Sequence, residues 1–455
     1  MNYISPIISL IIIIIAARLI LKKYNPHAVL LLLGIFLMFL AYILNGKSNI
    51  VPISTGSPIF DFFEYIKNSF SKINAGVGLM IMAIGGFVAY IDKIGASDTL
   101  VYVAMKPLKL LKNKSFLAAS LVIPIGQTLF VAIPSAAGLS LLLMASLFPI
   151  LLKLGVSRIA AASVITASTC IGLGPASAMT VSSSTIAEID TIEYFIKDQI
   201  PLILPLTLVL MISYYFVNKY YDGKKSLEKI NKQEDIESEK PTKPLVYAVI
   251  PLLPIILLLI FSKIFSLFNP PIVLTTTTAM FISLFIAIAM DFIRTKKLKE
   301  ALNSFTVFWN GMGNIFKSVV TLIIAADVFA NGLINMNFIE GLLNISQSLG
   351  FGAVGIAVTM CIIIFLASIL MGSGNASFFA FGPLVPKIAE PLGVKSIIFL
   401  LPMQFSASIG RTISPVAGVI IAASDIAKIN AIDLVKRNLI PMVSAFIVML
   451  IYHFI

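Results

Sequence analysis

Charge is scarce in this chain. Asp, Glu, Lys and Arg make up 12% of it, against roughly 25% in a soluble domain, which excludes a water-soluble globule. Histidine and cysteine are scarcer still, with two of each. Cys170 and Cys361 stand singly within apolar segments, and His27 and His453 lie near span ends. That leaves no metal-ligand spacing, no disulfide framework and no evident histidine relay at mid-membrane depth. A Gly-x-x-x-x-Gly-Lys phosphate loop is missing, as are a Gly-x-Ser-x-Gly elbow and any nucleophile–base pair. The first absence excludes ATP hydrolysis by this chain as a driving force, and the others argue against an intramembrane enzyme. The alternating runs of about ten residues that mark a membrane β-barrel are missing too.

Apolar residues dominate instead, at 58% with a mean hydropathy of +1.00. Runs long enough to span occur at 4–21, 28–45, 76–91, 200–218, 244–267, 272–292, 312–334 and 438–455. They predict an all-α integral membrane bundle. No basic residue precedes the first run, and Arg18, Lys22 and Lys23 follow it. This predicts a retained helix ending in the cytoplasm rather than a cleaved leader. The net charge of +12 comes from clusters such as Lys106–Lys114, Arg294–Lys299 and Lys436-Arg437. Such clusters hold loops on the cytoplasmic side. No recognition fold accompanies them, so they do not suggest nucleic acid.

Two stretches 240 residues apart share one design. Segments 175–201 and 415–441 align without gaps. Pro175 matches Pro415, Ser184 matches Ser424, Ala187 matches Ala427 and Pro201 matches Pro441, with four shared isoleucines between. Each places a proline and small polar residues inside an apolar run, where a helix should break. Paired broken helices in two halves are the sequence pointer to a transporter's site at the bilayer midplane.

This yields a two-repeat plan. Residues 1–218 form a first repeat, with a re-entrant hairpin at 115–152 (tip 134–138) and a broken helix at 158–188. Residues 219–243, with seven Lys against six acids, form a cytoplasmic linker. Residues 244–455 repeat the plan inverted, with a hairpin at 352–390 (tip 371–377) and a broken helix at 396–424. About ten crossings, two hairpins entering from opposite sides and both termini outside satisfy the charge clusters. The segment Ile59–Ile66 reads as amphipathic, suited to the outer interface.

The irregular segments supply the candidate site residues. They are Ser135, Gly138, Ser168, Thr169, Ser177 and Thr180 in the first half, and Ser373, Asn375, Ser377, Ser408, Arg411, Thr412 and Ser414 in the second. Helix N-termini suit a carboxylate, whereas C-termini and unwound carbonyls suit Na⁺. A lone Ser or Thr in such a helix can equally bond its own backbone. Arg411 is the sharpest candidate. A charge at that depth costs about 2.5–3.5 kcal/mol on the insertion scale, and guanidinium clamps a carboxylate in bidentate fashion. Its alternative is a structural role, paired with a protein acid or with hairpin carbonyls. Asp327, the other intramembrane charge, could bind H⁺ or Na⁺, pair with Arg411, or be solvated near the end of its span.

Three blocks resemble the DcuC branch of the anaerobic C4-dicarboxylate carriers, and the resemblance runs along nearly the whole chain. They are Gly85–Ile91 with Ile94-Gly95-Ala96; Ser135–Leu139 with Leu147-Phe148-Pro149; and Gly372–Ala376 with Gly410–Val419. The resemblance implies a multi-pass carrier of succinate, fumarate or malate in the bacterial inner membrane, working by efflux, uptake or exchange. It further implies two hairpins, two broken helices, a homodimer, elevator-like movement and no cofactor beyond a coupling ion, Na⁺ or H⁺. Candidate contacts for that ion are Asp327, Thr169 and Ser408. Substrate contacts fall to Ser135, Gly138, Ser177, Thr180, Ser373, Asn375, Arg411, Thr412 and Ser414. The chain departs from the branch at Ala137, where a threonine is expected, and at Met179, where an acid is expected. Asp327 is not a position associated with the branch, and a relocated acid is one reading of the exchange. An amino acid or another small carboxylate as cargo, and an anion channel, are the alternatives.

Overall fold

The computed structural model describes residues 4–45, 51–111, 114–223, 243–264, 268–270, 272–348, 350 and 352–455. Among these residues the chain is helical, with no strand. Eight helices are long and apolar enough to cross a membrane. Most of the expected linker lies outside the described residues. Its first part, Lys219–Asp222, continues the preceding helix.

The first half contains α1 (Ile4–Leu21), α2 (Pro26–Asn45), α3 (Pro58–Lys93) and α4 (Ala96–Met105). Next come α5 (Ser115–Ala132), α6 (Ala136–Ser146) and α7 (Phe148–Lys153), where the first hairpin was expected. Then follow α8 (Arg158–Ala167), α9 (Ala178–Ile186) and α10 (Thr191–Asp222). The second half contains α11 (Leu245–Ile260), α12 (Thr276–Thr295), α13 (Leu298–Asn335) and α14 (Phe338–Ser348). It continues with α15 (Ala353–Met371), α16 (Gly374–Phe381), α17 (Val385–Ala389), α18 (Ile397–Thr412), α19 (Gly418–Ala427) and α20 (Ala431–Phe454). Four interruptions matter for function: 133–135, 168–177, 372–373 and 413–417.

Ile59–Ile66 lies in the amphipathic first part of α3, Pro58–Ile73, which a kink at Gly76 (φ −102°, ψ −112°) sets off from the apolar part that follows. Pro58 at the first turn and Asp61 fix the start, Asp61 accepting from Ser54 Oγ and from the Thr55 amide, both at 2.7 Å. Phe62 is buried against Met38 and Val328. One expectation is corrected: the helix in the apolar run 244–267 stops at Ile260.

The long helices α3 and α13 pack along each other, and α2 packs on the C-terminal part of α13. Small residues permit the close crossing. A side chain at Gly311 would meet the Gly85 carbonyl at 2.8 Å and Gly86 Cα at 2.9 Å. Elsewhere α15 lies on α18 and α10 on α20, enclosing the interruptions.

Lys436 and Arg437 do not share one role. Lys436 is largely exposed, but Arg437 is buried. Its guanidinium donates to both Asp222 carboxylate oxygens at 2.8 and 3.0 Å and to Asn218 Oδ1 at 2.9 Å. Ser157 Oγ donates to the same carboxylate at 2.7 Å. This knot ties α10 and α20 to the start of α8. Removing one partner of a buried pair leaves the other charge uncompensated. Asp222→Ala should therefore lower stability by about 3 kcal/mol, and adding Arg437→Met should recover part of the loss. Thermal unfolding of the purified protein in detergent checks this; an unchanged midpoint in Asp222→Ala would contradict it.

Candidate functional site

Each interruption leaves helix-end N–H groups without intrahelical partners. Helices α6 and α16 each satisfy one of theirs locally. Ser135 Oγ accepts from the Gly138 amide at 3.1 Å at the start of α6, and Ser373 Oγ accepts from the Ala376 amide at 3.2 Å at the start of α16. The broken helices do not. At α9 the cap position is Ser177, whose side chain makes no capping bond, and at α19 it is Ala417, which has no polar side chain. Two uncapped N-termini, each with a partial positive charge, therefore stand at the two breaks.

The first break lies against α18 along one stripe. Gln404, Ser408 and Arg411 are spaced at i, i+4 and i+7, so they share a helix face. Gln404 Nε2 donates to the Gly172 carbonyl at 2.5 Å, and Ser408 Oγ accepts from the Gly172 amide at 3.1 Å. Arg411 Nη2 donates to the Thr169 carbonyl at 2.5 Å. Gly172 is closely approached: a side chain there would meet Met179 Cε at 2.7 Å and Ser408 Oγ at 2.9 Å. Ser177, Met179 and Ser408 thus gather around one backbone unit, although their sequence positions are far apart.

Buried amides complete the cage. Gln404 Nε2 also donates to Thr180 Oγ1 at 3.0 Å, and its Oε1 accepts from Ser183 Oγ at 3.1 Å and Tyr194 OH at 3.0 Å. Gln199 Nε2 donates to Thr180 Oγ1 at 3.0 Å, while its Oε1 accepts from the Gly174 amide at 3.2 Å. It closes a π-helical stretch, Tyr194–Gln199, a local widening often found at functional sites. Asn438 does the matching work at the second break. It donates to the Thr412 carbonyl and Thr166 Oγ1, both at 3.2 Å, and accepts from Tyr214 OH at 2.9 Å. Sequence reasoning missed Gln199, Gln404 and Asn438. The available signal was an amide inside an apolar run, which is expensive unless fully bonded.

A closed cleft beside the second break, too tight to admit a water, is lined by Thr166, Thr169, Arg411, Thr412, Val419 and Ile420. It brings the Arg411 guanidinium to the first turn of α19. Among the described residues Arg411 is in no ion pair, so its alternative pairing with a protein acid is not seen. The second hairpin tip reaches the same break. Gly372, with a left-handed φ of 69°, lies so close that a side chain would meet the Ala417 amide nitrogen at 2.9 Å.

The other candidates make local bonds. Ser168 donates to the Ile165 carbonyl at 2.7 Å, Thr169 to Thr166 at 3.1 Å and Thr412 to Ser408 at 3.1 Å. Ser377 bonds Ser368 and the Gly374 carbonyl, and Ser414 Oγ accepts from the Val416 amide at 3.3 Å. Gly138 supplies the amide that Ser135 caps. Asn375 is half-buried at the second tip, and its amide enters no described bond. Asp327 is not brought to Arg411. Its carboxylate accepts from Tyr65 OH at 3.0 Å and Ser69 Oγ at 2.8 Å, both on α3.

Comparison with known proteins places these features in context. The family model described as "C4-dicarboxylate anaerobic carrier", DcuC, matches residues 4–455. The anaerobic C4-dicarboxylate transporter DcuC of Escherichia coli (strain K12) is 32% identical over 454 residues, covering 99% of this chain and 96% of that protein. A relative from Vibrio cholerae is 33% identical over 452 residues, covering 98% of this chain and 96% of the relative. Among solved structures, MtrF of Neisseria gonorrhoeae, described as illuminating a class of antimetabolite efflux pumps, superposes with a TM-score of 0.61. It is 12% identical, covers 94% of this chain and 95% of its own, and shares the fold alone.

The capping contrast makes a sharp prediction. Ser135→Ala and Ser373→Ala should each cost about 1 kcal/mol, as lost N-caps do, whereas Ser177→Ala should leave stability unchanged. Unfolding midpoints of the three variants decide it; equal losses in all three would contradict the assignment.

Proposed function

Because the chain belongs to the DcuC family of C4-dicarboxylate anaerobic carriers, a family of transporters and not of enzymes, we propose that it is a secondary carrier of C4-dicarboxylates: succinate, fumarate or malate. It is a multi-pass protein of the bacterial inner membrane. The observation that carries the reading is the pair of uncapped break helices, with Arg411 beside one of them. Two electropositive helix ends suit a cargo with two carboxylates.

In this reading one carboxylate meets Arg411 and the first turn of α19, with Thr412, Ser414, Ser373 and Asn375 around it. The other meets the first turn of α9, with Ser177 and Thr180, and with Ser135 and Gly138 of the first tip. Ser135 and Ser373 cap through oxygen lone pairs, so their hydroxyl protons remain available as donors.

Element order supports two inverted repeats. Each of α1–α10 has a counterpart ten labels later, including the long pair α3 and α13 and both serine-capped hairpin helices. Contacts pair across the halves as well, α6 with α19 and α9 with α16. The bonds from Gln404, Ser408 and Arg411 to the first break tie the two half-sites into one body. This favours an elevator-like movement, in which the site travels whole, over rocking that would split it. The α2, α3 and α13 packing unit is the proposed static scaffold, and a homodimer is the proposed assembly. Na⁺ or H⁺ is the proposed coupling ion. Thr169 and Ser408 are already bonded to Arg411 and the Gly172 amide at the first break, and Asp327 is held by Tyr65 and Ser69 on the α3 and α13 unit.

Labelled succinate counterflow into proteoliposomes preloaded with unlabelled succinate tests the proposal. Uptake should require internal succinate and should respond to removal of Na⁺ or collapse of the pH gradient. Failure of counterflow with succinate, but success with aspartate, would move the cargo to amino acids; non-saturating conductance would indicate a channel. Arg411→Lys should fold normally and lose at least about tenfold in kcat/KM, because a lost charge-assisted hydrogen bond is worth roughly 1.5–3 kcal/mol. Full activity in that variant would remove Arg411 from the site.

A further inference from the structure

Thr180 occupies an unusual hydrogen-bonding position. It is fully buried in the first turn of α9, and two amide nitrogens converge on its hydroxyl oxygen, Gln199 Nε2 and Gln404 Nε2, both at 3.0 Å. Neither amide can be turned round. The Gln404 group that faces Thr180 also faces the Gly172 carbonyl, which only accepts, so it must be the NH₂. The far end of Gln199 faces the Gly174 amide, which only donates, so that end must be the oxygen and the end at Thr180 the NH₂.

A hydroxyl has two lone pairs and one proton. Both Thr180 lone pairs are therefore taken, and the proton is the only group left. No described residue accepts it. Ser183 and Tyr194 already occupy the Gln404 oxygen. Ser177, three residues earlier and thus on the same helical face, has an Oγ that makes no capping bond. Ser177 is the N-cap of the same uncapped turn that carries Thr180.

We propose that Gln199 and Gln404 are positioning residues that fix Thr180 as an obligate donor, so that the first break selects an oxygen acceptor of the cargo, a carboxylate, and cannot use Thr180 as a cation ligand. The identity of the acceptor rests on the dicarboxylate-carrier reading. The donor polarity follows from the two backbone groups alone. A cation such as Na⁺ needs an oxygen lone pair, and Thr180 has none to offer.

Kinetics in proteoliposomes separate the roles. Thr180→Val should raise the KM for succinate about tenfold, the loss of one hydrogen bond to a charged group, with a smaller change in kcat. The cation concentration for half-maximal activation should not move. Thr180→Ser keeps the hydroxyl and should recover most of the KM loss seen in Thr180→Val. Gln199→Met frees a lone pair and releases the hydroxyl to rotate, so it should also raise KM, and the double variant Thr180→Val/Gln199→Met should be no worse in KM than Thr180→Val. An unchanged succinate KM in Thr180→Val, a shift in cation activation instead, or additive KM effects in the double variant would each overturn the assignment. Wild-type protein with no succinate counterflow would overturn the carrier reading and this assignment with it.

Discussion

Everything in this structure follows from one constraint: non-helical backbone buried in a membrane protein must find its hydrogen-bond partners inside the protein. The chain breaks its helices four times within apolar surroundings. At 133–135 and 372–373 the problem is met locally by serines that cap the following helix. At the two broken helices it is solved at a distance, by Gln199, Gln404 and Asn438, and only in part. The Thr169, Gly172 and Thr412 carbonyls and the Gly172 and Gly174 amides find side-chain partners, while the first turns of α9 and α19 keep uncapped N–H groups. Incomplete satisfaction of one sign is what a binding site for anions requires, and the guanidinium of Arg411 adds to it.

The same bonds bear on movement. A stripe of α18 grips the backbone of the first break at Thr169 and Gly172. Any displacement of α18 that left the first break behind would strand a glutamine, a serine and an arginine in a low-dielectric interior, at a cost of several kcal/mol. The cheaper path carries both breaks together past the α2, α3 and α13 unit. The elevator proposal therefore has a basis in the energetics of buried polar groups as well as in kinship.

Much of this was legible in the sequence. The scarcity of charge fixed the class, and the two proline-bearing segments located both breaks within a few residues. Arg411 stood out because a charge in an apolar run is costly. What stayed hidden depends on pairings across more than 200 residues. Ser135, Ser177 and Ser373 read alike as small polar residues beside a break. Only the turn that follows decides that two of them cap and one does not. Arg437 looked like a loop cation because its partner, Asp222, sits at the edge of a polar stretch. Gln404 carried the same signal as Arg411, a polar group in an apolar helix at matching spacing, but a neutral amide reads more weakly than a charge. The start of α3 rests on a signal, Ser57-Pro58 with Asp61, placed within a stretch polar enough to pass for a loop.

The central claim is that two electropositive breaks hold the two carboxylates of one cargo molecule. Calorimetric binding of succinate and of its half-amide, succinamate, to the purified protein tests this most directly, since the two have nearly the same shape and differ by one charge. The account predicts that succinate binds at least about tenfold tighter, the worth of one charge-assisted contact. Equal affinity for the two ligands would mean that only one carboxylate is recognised, and would contradict it.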